Sequence, residues 1–248
     1  MASTHFAPLF LLSNITIKFL NNCVKFVHSI FPHDCVLCGV GSGATPLCPR
    51  CQVSLPYHSL PHCPICAIPS TRGATCGACL KQAPAYARTI AAFSYAFPID
   101  ALLQSLKYGG NLALIGILAE PLSHLAAAQA KPDMIIAMPQ HPARLRARGF
   151  NQALEIAKVI GKQLAIPVHA DVCQRTRDTP PQVSLPWKER DKNITGAFAC
   201  ETNLNGKKIA LVDDVMTTGA TLNELSKLLR KQGAAEISAW VVARTLPN

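Results

Sequence analysis

An α/β domain on a parallel sheet, with a small cysteine-rich module ahead of it, is the architecture to expect from these 248 residues. Three observations lead there. From residue 89 onward short apolar runs alternate with segments of helical spacing, the pattern of strands joined by crossover helices. Between positions 35 and 79 the pair C-x2-C occurs four times. At 209–221 the chain reads IALVDDVMTTGAT, an apolar strand that runs into two adjacent carboxylates and then into a turn of threonines and glycine.

The elements follow in chain order. Residues 6–31 are apolar but interrupted by Asn14, Lys18, Asn21, Asn22, Lys25 and His28, which leaves Ile15, Phe19, Val24 and Val27 near one face. An amphipathic helix is therefore expected within 1–34, packed on its own protein. A membrane-surface or partner-binding helix is the alternative. No run is apolar for the roughly 18 residues that a spanning helix requires, so stable membrane insertion is not expected. Neither a basic n-region nor a small-residue cleavage site marks a cleaved signal.

The segment 35–88 holds the pairs Cys35/Cys38, Cys48/Cys51, Cys63/Cys66 and Cys76/Cys79. Nine residues separate the first pair from the second and the third from the fourth, so C-x2-C-x9-C-x2-C occurs twice. A two-residue gap lets a tight knuckle present both sulfurs to one metal, and a second knuckle completes a tetrahedron. Gly39, Gly77, Pro49 and Pro64 supply turn chemistry in and beside the knuckles. Two structural Zn2+ sites are expected, ligated in sequence, although interleaved ligation satisfies the same spacing. Disulfides and an iron–sulfur cluster are the other readings of so many cysteines. Closed four-thiolate sites leave no open coordination position, so this metal holds a fold rather than doing chemistry. Cys23, Cys173 and Cys200 fit no such pattern and read as ordinary thiols.

In 89–248 the expected strands are 90–95, 134–138, 166–172, 208–213 and 237–243. Helices are expected over 99–107 and 112–129. Another follows from Leu154, Ala157, Ile160 and Leu164, and a last one from Leu222, Leu225, Leu228 and Leu229, with Gly233 as its stop. Residues 174–196, QRTRDTPPQVSLPWKERDKNITG, show no periodicity, and a loop that long in a compact domain is usually functional.

In such a sheet ligands bind beyond the carboxyl ends of the strands. The turn 217–221 would present backbone amides and a helix's positive end there, which suits a phosphate. Gly219 permits close approach, and Thr217, Thr218 and Thr221 add hydroxyls. Carboxylates beside a phosphate would repel it unless they accept hydrogen bonds from sugar hydroxyls or face magnesium. A ribose 5-phosphate asks for that combination. Adjacent strand residues point to opposite faces, so both acids reach one ribose only if the strand bends away there. A core strand with an incidental polar end is the bland alternative.

ALVDDVMTTGAT resembles the phosphoribosyl pyrophosphate (PRPP) motif of type I phosphoribosyltransferases. By that resemblance Asp213 and Asp214 would bind the ribose hydroxyls, and Thr217, Thr218, Gly219, Ala220 and Thr221 the 5-phosphate. MPQHPARLRARGFNQA at 138–153, RDKNITGAF at 190–198 and the paired knuckles resemble the ComF competence-protein family over about 31–246. That resemblance implies a type I phosphoribosyltransferase-like parallel sheet with flanking helices, preceded by a double zinc ribbon, and a link to uptake of DNA into the bacterial cytoplasm. Arg144 and Arg148 could neutralise the pyrophosphate of PRPP bound with Mg2+, with Arg190 and Lys107 as further pyrophosphate or lid candidates. Ala137, Gln140 and Gly109 depart from what members often have at those places.

The formal charge is +10, and between Arg144 and Lys192 ten Lys/Arg stand against five Asp/Glu. The basicity fits an anionic partner or a solvated surface with unspecific polyanion affinity. The leading expectation is a cytoplasmic PRPP-binding protein that takes part in processing or importing single-stranded DNA. If catalytic, it would be a pentosyl transferase. No residue offers itself as a base for the acceptor. The rivals are a protein to which PRPP or a nucleotide is an effector, and a zinc-ribbon adaptor for a DNA-uptake helicase or single-stranded DNA. Aromatics, the usual stacking platforms for bases, are only 6% of the chain, with mainly Tyr57 and Tyr86 in the ribbons.

Overall fold

The computed structural model describes residues 33–178 and 194–246. The N-terminal helix expected within 1–34, Cys23, and Trp187, Arg190 and Lys192 of the 174–196 loop lie outside the described residues. Among the described residues no helix is long and apolar enough to cross a membrane.

The chain divides into two compact units at Ser54/Leu55. The first holds the antiparallel pair β1 (His33–Asp34) and β2 (Gly41–Gly43) and the short helix α1 (Pro49–Val53). The second begins with the second cysteine repeat, including α2 (Gly77–Lys81), and continues into the sheet. The two ribbons thus fall in different units, whereas the cysteine repeat and the sheet meet in sequence near 88/89.

Backbone hydrogen bonds explain why the second repeat belongs with the sheet. Strand β3 (Arg88–Ser94) lies at a sheet edge, where unpaired groups would otherwise face solvent. Residues 56–64 cover it: Thr89 donates to Pro64 O at 3.0 Å, His58 to Ala92 O at 3.0 Å, and Ser94 to Pro56 O at 2.8 Å. Tyr57 and Phe93 form an antiparallel bridge there.

The sheet has order β3-β9-β8-β4-β5 and is parallel throughout, as the alternation of strands and helices predicts. Its other strands are β4 (Met134–Ala137), β5 (Val168–His169), β8 (Lys208–Met216) and β9 (Glu236–Arg244). The crossover helices are α3 (Ile99–Gly109), α4 (Leu114–Ala127), α5 (Pro142–Arg148), α6 (Gln152–Leu164) and α7 (Ala220–Lys231). Central β8 and β9 are apolar on both faces because helices cover both, and Ile209, Ala210, Leu211, Val212, Ala239, Trp240 and Val241 are buried.

Two strand expectations shift. The fourth strand does not end at 213 but runs to Met216, because β9 pairs with it as far as Met216↔Arg244 and the Met216 side chain is buried. The third is not 166–172 but two residues, Val168–His169, paired only with Ile135 and Ile136 at the sheet edge. Gln174–Arg175 (β6) pairs instead with Phe198–Ala199 (β7), closing the base of the long loop. Residues 142–148, where the sequence predicts no element, form α5, with Pro142 in its first turn and Gly149 as its left-handed C-cap.

Candidate functional site

The two cysteine repeats fold alike, residue for residue at an offset of 28. Gly39 N donates to Cys35 O at 2.8 Å, and Cys35 N to Val40 O at 2.8 Å. Ala67 N donates to Cys63 O and Cys63 N to Ile68 O at the same distance. The residue closing each knuckle is left-handed: Gly39 at φ +72° and Ala67 at φ +55°. Cys48 and Cys76 each N-cap the following short helix. The metal-ligating sulfurs of Cys35, Cys38, Cys48 and Cys51 lie within 4.8 Å of one another, as do those of Cys63, Cys66, Cys76 and Cys79. The sets are sequential, not interleaved.

Each cluster suits a cation in its centre. Burial pushes the Cys35 thiol up, but the backbone amides of Cys48, Leu37 and Cys38 draw it down to about 6. Contact with Cys38 raises Cys51 to about 12, since a second thiolate beside the first is unfavourable without a metal between them. In the second cluster Cys63 is lowered to about 7 by backbone amides that outweigh burial, and burial raises Cys66 and Cys79.

The second group of residues gathers at the carboxyl end of β8. Asp213 and Asp214 lie within the strand, and each carboxylate accepts from the next backbone amide: Asp214 N to Asp213 Oδ1 at 2.8 Å, Val215 N to Asp214 Oδ1 at 2.9 Å. The two carboxyls also meet each other. Burial, then the charge of Asp214, raises Asp213 well above the ordinary carboxylate range. Burial works the same way on Asp214, but the ammonium of Lys107 overcomes it and holds that carboxyl low. Lys107, from the last turn of α3, makes an ion pair with Asp214 Oδ2. The two acids are thus driven apart, Asp213 upward by burial and by its neighbour's charge and Asp214 downward beside the half-buried Lys107.

Asp214 is linked onward through Gln152, at the start of α6. Gln152 Nε2 donates to Asp214 Oδ2 at 3.5 Å, and its Oε1 accepts from Arg148 Nη1 at 2.6 Å and from Gln140. Arg144 and Arg148, one helical turn apart on α5, line a cleft of about 390 Å³ with Lys107, Tyr108 and Gly110. Arg148 stacks over Tyr108 at 5.6 Å, and Arg144 Nε donates to Asp178 at 3.1 Å. Asn151 fixes the neighbouring chain, capping α6 through Ala153 and Leu154 and donating to Met138 O at 3.0 Å.

After Met216 the chain turns through Thr217 and Thr218 to Gly219, which N-caps α7 at φ +85°. Ala220 and Thr221 are thus the first turn of the helix rather than part of a free loop. Gly219 has no side chain to cap the helix, and Thr218 Oγ1 accepts from Ala220 N at 3.2 Å, so an anion at the helix's positive end would share that amide with the hydroxyl. A Cβ on Gly219 would sit 2.7 Å from Met216 Cε and 2.8 Å from the Tyr86 hydroxyl, so the turn also packs too tightly for any larger residue.

A double zinc ribbon domain matches residues 26–80, and a phosphoribosyl transferase domain matches 146–246. Competence protein F of Haemophilus influenzae is 36% identical over 209 residues, 80% of this chain and 90% of that protein. The chain belongs to the ComF family. DNA utilization protein YhgH of Escherichia coli strain K12 is 31% identical, covering 74% of this chain and 84% of the relative. Competence protein ComFC of Streptococcus pneumoniae is 26% identical over 80% of this chain and 87% of its own. As a ComF-type protein the chain joins a double zinc ribbon, whose zinc sites are the two tetracysteine groups, to a phosphoribosyltransferase-like domain.

Of the residues the sequence marks in this ComF protein, the fold brings Asp213, Asp214, Lys107 and Arg148 into one linked network. Arg144 stands beside them in the cleft, and the turn 217–221 follows directly on β8. Arg190 lies outside the described residues. Gln152 is absent from the sequence reading: a single glutamine at a helix start carries no signal until α6 is docked against β8. Tyr86, marked in sequence only as a possible stacking platform for bases, and Arg244, not marked at all, flank the turn, a placement that only the fold reveals.

Proposed function

We propose that this protein binds PRPP and that, where an acceptor is present, it transfers the 5-phosphoribosyl group to it with release of pyrophosphate. The observation that carries the reading is the junction of an acid pair with a glycine-capped helix start at the carboxyl end of one central strand. The turn 217–221 takes the 5-phosphate through its amides and hydroxyls. Asp213 and Asp214 accept the ribose hydroxyls, which requires Lys107 to share or yield Asp214. Arg144 and Arg148 neutralise the pyrophosphate across the cleft. The carboxylates together with the pyrophosphate oxygens offer the hard oxygen ligands that Mg2+ prefers, and the ion would neutralise charge on the departing group. Cleavage of the anomeric C–O bond leaves positive charge on the ribose ring, and the adjacent Asp carboxylates stabilise it.

The relatives' names, competence and DNA utilization, support a place in the uptake or processing of single-stranded DNA in the cytoplasm, where reduced thiols retain zinc. The basic stretch 144–192 suits contact with DNA better than the ribbons do.

Calorimetric titration of the zinc-loaded protein with magnesium–PRPP, beside the Asp213→Asn/Asp214→Asn double variant, tests the site. Binding by the wild type alone is expected. Pyrophosphate release in an acceptor screen then separates an enzyme from an effector-binding protein, and absence of binding by the wild type overturns the reading in favour of an adaptor.

A further inference from the structure

Between the second zinc cluster and the turn after β8 lies Arg244, the last residue of β9. It is only 5% exposed, and its Nε donates to the carbonyl oxygen of Cys66 at 2.7 Å. On the other side Nη1 donates to the carbonyls of Met216 at 3.0 Å, of Thr217, and of Thr245 at 2.7 Å. Cys66 is a ligand of the second cluster. Met216 and Thr217 are the residues by which β8 enters the turn. A single planar group therefore spans the distance from metal knuckle to turn, with rigid donors aimed in both directions.

Neighbouring contacts run the same way. Thr89 Oγ1 donates to Ile65 O, inside the Cys63/Cys66 knuckle, at 2.6 Å and lies 3.9 Å from the Met216 sulfur. Ala85 N donates to Asn223 Oδ1 at 2.8 Å, fastening the segment after the fourth knuckle to the first turns of α7.

Charge gives the contact a reason. Among the described residues no carboxylate lies within ion-pair reach of Arg244, and a buried guanidinium without a counter-ion is costly. Four thiolates around one Zn2+ sum to a net charge of −2. The loaded second cluster is thus the counter-ion of the residue that holds the turn.

We propose that Arg244 is a positioning residue through which zinc in the second cluster, and not in the first, sets the geometry of the turn 217–221 and hence its affinity for a sugar phosphate. The ligand half of this inference rests on the reading of that turn as the 5-phosphate cradle; the structural half does not.

The test uses full-length, zinc-loaded Arg244→Lys, with ribose 5-phosphate and inorganic pyrophosphate as separate calorimetric probes and amide exchange followed in peptides covering 216–222 and 134–138. Lysine keeps the charge but cannot bridge both sets of carbonyls. Two zinc per chain should be retained, while ribose 5-phosphate affinity falls at least about tenfold, the loss expected of one charged hydrogen bond. Pyrophosphate affinity and exchange at 134–138 should not change, and exchange at 216–222 should accelerate. Cys76→Ser, which takes a ligand from the second cluster, should reproduce the changes in affinity and exchange, and Cys51→Ser, which takes one from the first, should not. Unchanged binding and exchange in Arg244→Lys, equal effects of the two cysteine variants, or equal losses for pyrophosphate and at 134–138 would each overturn the proposal. If the wild type binds neither probe, the phosphate reading fails by itself. The exchange comparison then decides the coupling: faster exchange at 216–222 alone sustains it, and no difference ends it.

Discussion

Asp213 and Asp214 differ in what they need from their surroundings. Lys107 stands against Asp214 and draws its carboxyl down despite burial, whereas burial and the charge next door push Asp213 up. Replacing each by asparagine should therefore move stability in opposite directions. Asp213→Asn removes a half-buried acid whose charged form burial and the neighbouring carboxyl oppose, and should raise the ligand-free unfolding free energy at pH 7 by about 1 kcal/mol. Asp214→Asn strands the Lys107 ammonium and should cost about 3 kcal/mol. Denaturant titration of both variants checks the signs, and a shift in the same direction would contradict the assignment. The pH dependence follows from linkage. Stability due to a raised acid is fully present below the ordinary carboxylate pKa of about 3.9 and is lost as pH rises through its raised value. Wild type minus Asp213→Asn should accordingly decline as pH is raised from about 4 toward neutrality. The lowered Asp214 acts oppositely, its contribution present above that range and lost as acid protonates it.

At the scale of elements, the segment that matters is β8, its turn and α7. Its apolar run, acid pair and threonine–glycine turn are legible in sequence because each is a local pattern. The strand's continuation to Met216 is not, because the pairing with β9 that sustains it is a tertiary contact. Gly219→Ala should cost about 1–2 kcal/mol for the left-handed backbone alone, before the collision with Met216 and Tyr86 is counted. Magnesium–PRPP affinity should fall at least about tenfold with it. Calorimetry beside thermal unfolding checks this, and normal affinity in the variant would remove the turn from the site. Helix α5 teaches the same lesson in reverse. Residues 142–148 lack an apolar period to advertise a helix, yet Pro142 at its start and Gly149 at its end bound one, and that helix sets Arg144 and Arg148 on one face.

For the whole molecule, the two cysteine repeats are alike in sequence and unlike in service. The second covers the exposed edge of β3 and is bonded to β9 through Arg244; the first folds as part of a separate compact unit. A chain shortened to 55–248 should unfold cooperatively, carry one zinc and bind ribose 5-phosphate, whereas one shortened to 89–248 should lose cooperative unfolding. Metal analysis of the full chain should give two zinc, and a value near one would overturn the paired sites.

Sequence alone determined the repeat and its eight candidate ligands, the parallel α/β class and the acid–threonine–glycine motif, because sulfur spacing, strand–helix alternation and turn chemistry are written over a few adjacent residues. It left the ligation order open. Tertiary structure decided that the sets are sequential, that Lys107 faces Asp214, that Gln152 joins Arg148 to the acids, and that one ribbon belongs to the sheet. Those facts join residues far apart in the chain, and what selects them is the burial of charge and the pairing of strand edges, which exist only once the chain has folded.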